Sequence, residues 1–276
     1  MVAIMFSLEV YLAERKQFID KALDRRMPKA TMRPAILHTA MRYSVFSGGK
    51  RLRPILCLAA CEAAGGKMKD ALVPACAIEL LHTYTLIHDD LPALDDDDLR
   101  RGKTTSHKKF GEANAILAGD ALLTLAFEWL ADYPALAKEL ARAAGSQGTI
   151  AGQVEDLSAE GAKPDKKRLH YIHLHKTAKL IQAAVRMGAI VGKADEKDLT
   201  ALSVYGEKSG LAFQLMDDVL DEEDGDQMSA VQVYGRAEAL QRAQNLLTSA
   251  KESLEIITGE TTALAAIADF IIQQAN

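Results

Sequence analysis

Residues 79–103 read ELLHTYTLIHDDLPALDDDDLRRGK, an apolar helical stretch that ends in a run of aspartates. Between Asp89 and Asp98, six of the ten residues are aspartate. The basic residues that follow at once are Arg100, Arg101 and Lys103. A solvated loop is the ordinary interpretation of such a run. Its position at the end of an apolar helix favours carboxylates held close together, which repel one another unless cations neutralise them.

A second acidic segment, GLAFQLMDDVLDEEDGD, covers residues 210–226. At 100° per residue, one helix face carries the polar side chains of Gln214, Asp217, Asp218 and Asp221. Burying such groups without partners costs roughly 2–7 kcal/mol each. An exposed, acid-rich amphipathic helix is the alternative, but a second acidic cluster in one chain argues against it.

The rest of the chain also predicts helices. Between breaks at glycine and proline, apolar residues recur at helical spacing without β-branched alternation. The last proline is Pro164, so 112 residues follow without one. The predicted helices cover residues 7–23, 30–47, 53–64, 71–88, 113–131, 135–144, 149–160, 166–191, 197–220, 236–258 and 262–272. We therefore expect an all-α fold in a single domain, 1–276, with about ten or more helices around a central apolar cavity.

Composition excludes several function classes. The 276-residue chain has 33 Lys and Arg against 38 Asp and Glu, a formal charge of −5, whereas nucleic-acid binders carry an excess of basic groups. The longest uncharged run, 143–154, is shorter than the about 18 residues that cross a bilayer, so we expect no membrane span. The start of the chain does not resemble a secretory signal. We expect a cytoplasmic protein in which Cys57, Cys61 and Cys76 are buried free thiols.

The two acidic clusters suit a divalent metal if they face a common cavity. Mg²⁺ prefers oxygen ligands and is commonly held by one or two carboxylates together with substrate phosphates. A diphosphate substrate then needs basic groups for its other oxygens. Residues 48–54, GGKRLRP, form a glycine turn that leads into a cationic helix start, where an anion can be held. On its own such a turn is weak support, because most basic clusters are only solvated.

Five motifs together resemble the trans-isoprenyl diphosphate synthases, and most closely the bacterial farnesyl diphosphate synthases. In chain order they are GGKRLRP, HTYTLIHDDLPALDDDDLRRGKTTSH, GQVEDL, HKTAKL and GLAFQLMDDVLD. The resemblance covers residues 47–221. It implies one all-α domain of the isoprenoid synthase type, usually in a homodimer, that acts on isopentenyl diphosphate and an allylic diphosphate.

The resemblance also implies roles for individual residues. The metal ligands, for about three Mg²⁺ ions with the allylic diphosphate, would be Asp89, Asp90, Asp95, Asp217, Asp218 and Asp221. The allylic substrate would contact Arg100, Lys176, Thr177 and Gln214. Isopentenyl diphosphate would be held without metal by Gly49, Lys50, Arg53, His82 and Arg101.

The chemistry explains why these residue types are needed. Ionisation of an allylic diphosphate separates a carbocation from a highly charged anion, which metal ions, Arg100 and Lys176 can stabilise. The double bond of isopentenyl diphosphate then attacks the cation. The neutral dipoles of Thr177 and Gln214 can favour the cation without capturing it, so these two residues and Lys176 are the candidate catalytic residues. The resemblance assigns the final proton transfer to the released diphosphate.

Product length is expected to depend on Tyr84, five residues before Asp89. In similar enzymes an aromatic side chain at this position closes the floor of the cavity at the farnesyl stage. Helical spacing alone places Tyr84 about 140° from Asp89, so the resemblance and not the periodicity assigns this role. Simple packing in the core is the alternative. Simple packing is also the expected role of His170, His173 and His175.

One part of the family pattern has no match. Family members usually carry a lysine-containing loop after the second acidic motif, whereas no lysine occurs between Lys208 and Lys251. Either the chain lacks the loop or residues are omitted between Gln227 and Met228, and the matching flanks favour omission. A true deletion predicts weak activity.

Farnesyl diphosphate synthesis is the expected function, and geranylgeranyl diphosphate synthesis is its nearest rival. A non-catalytic subunit that regulates an active partner is a second rival, which the missing lysine favours and the two complete acidic motifs disfavour. A terpene cyclase is the third, although cyclases generally lack the second DDxxD motif and the GGKRLRP site.

Overall fold

The computed structural model describes residues 6–220 and 228–273, and it confirms the all-α class. The α-helices are α1 (Leu8–Arg26), α2 (Ala35–Val45), α3 (Leu52–Ala63), α4 (Leu72–Asp89), α5 (Ser106–Phe110), α6 (Glu112–Trp129), α7 (Pro134–Ala144), α8 (Thr149–Leu157), α9 (Lys166–Ile172), α10 (Lys179–Val191), α11 (Glu196–Leu220), α12 (Ala230–Tyr234), α13 (Arg236–Leu254) and α14 (Thr262–Gln273). Short elements are a 3₁₀ turn (Met68–Ala71), a π-helical turn (His173–Ala178) and strands β1 (Leu99–Arg100) and β2 (Lys103–Thr104).

The chain divides into two compact units. The N-terminal unit comprises Leu12–Ile55 and Leu72–Ala137, and the C-terminal unit comprises Met1–Tyr11, Leu56–Ala71 and Lys138–Asn276. The first acidic motif belongs to the N-terminal unit and the second to the C-terminal unit. The single domain expected from the sequence stays a prediction.

Helix α4 forms the core of the N-terminal unit. Ile78, Leu80 and Leu81 are fully buried, and the helix packs against α2 and α6. Burial of each such side chain contributes roughly 1.5–3 kcal/mol. The same helix carries Glu79, which is only 2% exposed, so a charge is placed within the apolar core. The last residue of α4 is Asp89, and the first acidic motif therefore begins where this buried helix ends.

Helix α11 has the corresponding position in the C-terminal unit. It contacts α10, α13 and α14 along its length. Tyr205, which is fully buried, donates a hydrogen bond of 2.7 Å to the backbone oxygen of Leu264 in α14. The second acidic motif lies at the end of α11, where Asp217 and Asp218 occupy its last turn.

The predicted helix 166–191 is interrupted in its middle by the π-helical turn. Close packing accompanies the interruption. A Cβ atom at Gly152 of α8 would lie 2.1 Å from the backbone nitrogen of Lys176, and one at Gly210 of α11 would lie 2.7 Å from the Cα of Ala178. Only glycine lets the two helix backbones approach the turn this closely. Such turns occur often at functional sites, and this one contains Lys176 and Thr177.

Two other predictions of secondary structure are corrected. Helix α2 begins at Ala35 and not at residue 30, because Pro34 lacks an N–H and disfavours helical backbone at the residue before it. The short helix α12 was not predicted. It begins with a capping box, in which Ser229 accepts from the backbone of Gln232 and the Gln232 side chain accepts from that of Ser229.

One stretch has the length and apolar character of a membrane-spanning helix. It covers Met68–Asp89, and 67% of its most apolar window is buried inside the protein, as in the core helix of a soluble protein. Its composition is therefore weak support for a membrane span.

Candidate active site

Arg51 anchors the glycine turn of residues 48–54 in the N-terminal unit. Its backbone is left-handed, with φ 56°. The side chain is 2% exposed, and its guanidinium donates to Asp20 at 2.8 Å, to Glu79 at 2.6 Å and to the backbone oxygen of Val45 at 2.6 Å. Arg51 was not among the predicted site residues. The structure shows that it fixes the turn from inside, between Lys50 and Arg53.

Strands β1 and β2 form a two-residue hairpin that presents Arg101 to the same turn. The central residues, Arg101 and Gly102, have φ values of 55° and 73°, as in a type I′ turn. Arg101 Nη1 donates to the backbone oxygen of Gly48 at 2.8 Å. Gly49 has φ 103°, a conformation that favours glycine, and a Cβ atom there would lie 2.5 Å from that nitrogen and displace the guanidinium.

Arg53 and His82 complete a cationic cluster with Arg101. Arg53 Nη1 lies 3.2 Å from His82 Nε2, which accepts the hydrogen bond as a neutral imidazole. Burial lowers the pKa of His82 well below its usual value, and the nearby charges of Arg53, Arg101 and Arg100 lower it further. Gly49, Arg53, His82 and Arg101 are therefore brought together as predicted. Lys50 is exposed on the same turn.

The first acidic motif folds back on the end of α4. The backbone nitrogen of Asp95 donates to the backbone oxygen of Asp89 at 2.9 Å, so two residues six positions apart lie side by side. Both are half-buried. Sequence spacing could not show this, because the intervening residues are not helical.

Asp90 differs from these two residues because its side chain is only 6% exposed and is paired with Arg100. Arg100 also binds Asp97, at 3.0 Å. Burial raises the pKa of Asp90 despite the opposing effect of Arg100. The pair holds the side chain of Arg100 in place at the start of the hairpin.

Asp218 is the centre of a hydrogen-bond network in the C-terminal unit. It accepts from His173 Nε2 at 3.1 Å, from Gln214 Nε2 at 3.0 Å and from the backbone nitrogen of Ala230 at 2.6 Å. Burial tends to raise the pKa of Asp218, but the hydrogen bonds from His173, Gln214 and Ala230 outweigh it and the pKa is lowered. The expectation that His173 only packs is therefore incomplete.

The candidate catalytic residues continue this network. Thr177 donates to Gln214 Oε1 at 2.6 Å, and the bond from Gln214 to Asp218 fixes which end of the amide faces Thr177. Lys176 pairs with Asp156 of α8 at 2.6 Å. The structure thus brings Thr177, Gln214 and Asp218 together. Asp221 lies outside the described residues.

The oxygen donors of both motifs suit Mg²⁺. Across residues 6–220 and 228–273, no group of three or more His, Cys, Asp or Glu side chains forms a ready-made metal site. Mg²⁺ commonly needs only one or two protein carboxylates when substrate phosphates and water supply the other ligands. The residues therefore fit Mg²⁺ that is bound together with a diphosphate. That the two clusters face one cavity stays a prediction.

Tyr84 lies on α4 and is buried, with 6% of its surface exposed. Its ring packs edge-on against His88 at 5.4 Å, and His88 Nε2 in turn lies 3.1 Å from the backbone oxygen of Ile116 in α6. Burial raises the pKa of Tyr84, and the charges of Asp89 and Asp120 add to the effect. The ring thus lies beside the start of the first acidic motif.

Comparison with known proteins identifies the family. Residues 34–230 match the family model described as polyprenyl synthetase. The chain belongs to the polyprenyl synthetase family. Its members are Mg²⁺-dependent prenyltransferases, and membership of the family supports prenyl transferase activity for this chain.

Several relatives resemble the chain over nearly its whole length. A geranylgeranyl diphosphate synthase from Cyanophora paradoxa is 42% identical over 98% of both chains. A dimethylallyltranstransferase from Fischerella ambigua is 42% identical over 98% of this chain and 85% of its own. The crystal structure of an FPP/GFPP synthase from Zymomonas mobilis superposes with a TM-score of 0.89, at 36% identity, over 96% of this chain and 98% of its own.

The two explanations of the missing loop, a true deletion and an omission between Gln227 and Met228, both stay predictions. The alignment with the Cyanophora relative extends over 295 positions, more than the 276 residues of this chain. The sequence is continuous from Gln227 to Met228. Both explanations predict such gaps in this chain, and no lysine lies between Lys208 and Lys251.

Glu79→Gln tests the buried anchor of the glycine turn. Removing the charge leaves Arg51 buried and only partly paired, so we expect the free energy of unfolding to fall by about 3–5 kcal/mol in urea titrations. As a control, Asp269→Asn breaks the exposed pair with Lys251 and is expected to cost less than about 1 kcal/mol. Equal losses of unfolding free energy in the two variants would show that the buried pair of Arg51 and Glu79 contributes no more to stability than an exposed ion pair.

His82 predicts a pH dependence of stability. Its pKa is about 6.5 in the unfolded chain and well below that value in the folded protein, so the unfolded chain binds more protons as the pH falls. Stability is therefore expected to rise with pH up to about 7, by as much as about 1.4 kcal/mol per unit of pKa difference. In His82→Gln the pH dependence that His82 contributes to the free energy of unfolding disappears. Above about pH 8 the difference in this free energy between the two proteins is constant. If the free energies of unfolding of the wild-type protein and of His82→Gln changed in parallel at every pH, this would contradict a buried neutral imidazole at His82.

Proposed function

We propose that this chain condenses isopentenyl diphosphate with dimethylallyl and geranyl diphosphates to give farnesyl diphosphate and free diphosphate. The single observation that carries the choice of product is Tyr84, a buried aromatic side chain beside Asp89. The membership of the family and the two acidic motifs support the reaction class.

The cationic cluster supports the isopentenyl diphosphate site. Arg53, Arg101 and the exposed Lys50 supply positive charge, and the neutral His82 supplies a hydrogen-bonding group that Arg53 already orients. The guanidinium of Arg101 lies beside Gly49 and donates a hydrogen bond to the backbone oxygen of Gly48. An anion bound at this turn therefore contacts that guanidinium. No metal is needed where so much positive charge is fixed in place.

The C-terminal unit supports the allylic site. Lys176 carries a positive charge that Asp156 positions, and it binds an oxygen of the leaving diphosphate. Thr177 donates its proton to Gln214, so its oxygen lone pairs stay available to stabilise a neighbouring cation. In the N-terminal unit Arg100, held by Asp90 and Asp97, supplies a further guanidinium for the allylic diphosphate.

The carboxylates divide between metal binding and positioning in this proposal. Mg²⁺ neutralises the charge that develops on the leaving diphosphate. Asp89, Asp95 and Asp217 are half-buried and would hold it, with Asp221 of the second motif. Asp90 and Asp218 also orient Arg100 and Gln214, from which their oxygens accept hydrogen bonds.

Geranylgeranyl diphosphate is the second candidate product. Relatives at 40–46% identity carry geranylgeranyl diphosphate synthase as their name, which favours it. The local residue at the proposed floor favours farnesyl. The two products differ by one isopentenyl unit, so a single side chain can decide between them.

A homodimer in the cytoplasm is part of the proposal. Helix α6 exposes apolar side chains, with Ile116 at 42% and Leu117 at 56%, which suits a protein partner. A reducing compartment suits the free thiols of Cys57, Cys61 and Cys76, all of which are buried.

Incubation of the purified protein with isopentenyl diphosphate, Mg²⁺ and each allylic diphosphate in turn tests the reaction. We expect farnesyl diphosphate from the dimethylallyl and geranyl starters, no extension of a farnesyl starter, and no turnover after chelation of Mg²⁺. Products are identified by chain length in mass spectrometry. Geranylgeranyl diphosphate as the main product would establish the second candidate, and absence of any product would favour a non-catalytic subunit.

Tyr84→Ala tests the floor. Removal of the ring opens space beside Asp89, so we expect the main product to lengthen by at least one five-carbon unit in the same assay. Tyr133→Ala, which truncates an exposed tyrosine, serves as the control and is expected to keep the wild-type product. An unchanged product from Tyr84→Ala would remove the floor role and leave Tyr84 as a packing residue.

A further inference from the structure

The C-terminal unit contains a cavity to which the proposed reaction assigns no role. Its volume is about 370 Å³, within the range of small-molecule sites. Leucines of α9, α11 and α13 form its floor, namely Leu169, Leu211, Leu215 and Leu246. On α11, Leu211 and Leu215 lie on average about 60° around the helix from Gln214 and Asp218, and Leu211 lies only about 20° from Asp218. None of Thr177, Gln214 and Asp218 lines the cavity, so it is distinct from the candidate catalytic residues.

The rim of this cavity is basic and polar. Lys208 and Arg242 line it, together with His170, Asn245 and Ser249. Within the described part of the chain Lys208 forms no ion pair, although it is half-buried.

The ring of Tyr234 organises the cations on one side of the rim. The guanidinium of Arg242 lies over it at 4.1 Å and the ammonium of Lys166 at 5.3 Å, both from the ring centre. Glu238 pairs with Arg242 at 2.7 Å and neutralises part of this charge. Among the described residues at the rim, Lys166, Lys208 and Arg242 carry positive charge and Glu238 carries negative charge.

An apolar floor below a cationic rim is complementary to one kind of ligand, an anion that carries a hydrocarbon chain. We propose that this cavity is a second binding site for a prenyl phosphate, with the chain on the leucines and the phosphate between Lys208 and Arg242. The choice of a prenyl chain rests on the proposed function, which makes such molecules the substrates and products of this protein. The cavity and its charges do not depend on it.

The inner wall places a ligand close to the second acidic motif. His173 lines the cavity and also donates to Asp218. A molecule in the cavity therefore contacts a residue that holds the network of Asp218 and Gln214, without reaching Thr177 itself. The site is separate from the predicted substrate sites but shares one residue with their support.

Calorimetry with farnesyl monophosphate tests the proposal. The protein is first saturated with Mg²⁺, isopentenyl diphosphate and the unreactive geranyl thiodiphosphate, so that the substrate sites are filled. We expect one molecule of farnesyl monophosphate to bind per chain. The double variant Lys208→Glu and Arg242→Glu is expected to weaken binding at least tenfold. Lys197→Glu, one charge reversal on an exposed residue of α11 outside the cavity, is expected to leave binding unchanged.

Two further measurements test the cavity itself and the two ends of the ligand. Leu246→Trp fills the cavity without changing its charge and is expected to abolish binding of farnesyl monophosphate. Inorganic phosphate lacks the hydrocarbon chain and farnesol lacks the phosphate, so each is expected to bind the wild-type protein at least tenfold more weakly. Equal affinity in all variants, or no binding to the wild-type protein, would overturn the proposal. Because calorimetry needs no turnover, an inactive protein that still binds through Lys208 and Arg242 would contradict the proposed function and not this site.

Discussion

Charges on mostly buried helices need partners, and the candidate active site follows from how those partners are placed. In the N-terminal unit, Arg51 enters the core only because Glu79 and Asp20 neutralise it, and this pairing fixes the turn that carries Lys50 and Arg53. In the C-terminal unit, Asp218 stays ionised in a buried position because three donors converge on it. A buried ion pair adds little net stability against an apolar alternative. Its contribution here is geometric, since each pair fixes a neighbouring group that is proposed to meet substrate.

Backbone packing supplies the second constraint. Lys176 and Thr177 lie in a π-helical turn, which widens the helix and changes the direction of successive side chains relative to a regular helix. Gly152 on one side and Gly210 on the other let α8 and α11 approach this turn without side chains between them. Lys176 therefore reaches Asp156 of α8, while Thr177 reaches Gln214 of α11. Adjacent residues in the sequence are thus directed to two different helices.

The sequence predicted the helices well because their positions follow from apolar periodicity, which depends on local spacing. It also predicted Gly49, Arg53, His82 and Arg101 as one group, although the family resemblance and not periodicity supplied that grouping. The π-helical turn, the hairpin at Arg101 and the network of His173 were not predicted. Each depends on a close contact between residues distant in the chain, such as Gly152 with Lys176 or Gly49 with Arg101, and no local pattern encodes such a distance. The capping box at Ser229 is different, because the S-x-x-Q pattern that predicts such a helix start is present in the sequence at Ser229 and Gln232.

Product length shows why overall similarity and local structure can favour different conclusions. Identity of 42% with a geranylgeranyl diphosphate synthase measures agreement over the whole chain, most of which builds helices and phosphate sites that every product length requires. Chain length depends instead on the few side chains that an elongating prenyl group meets. Tyr84 is a large, rigid side chain whose position is fixed by His88, which is itself held against the backbone of α6. Whole-chain identity and this one side chain therefore favour different products, and the choice between farnesyl and geranylgeranyl diphosphate stays a proposal.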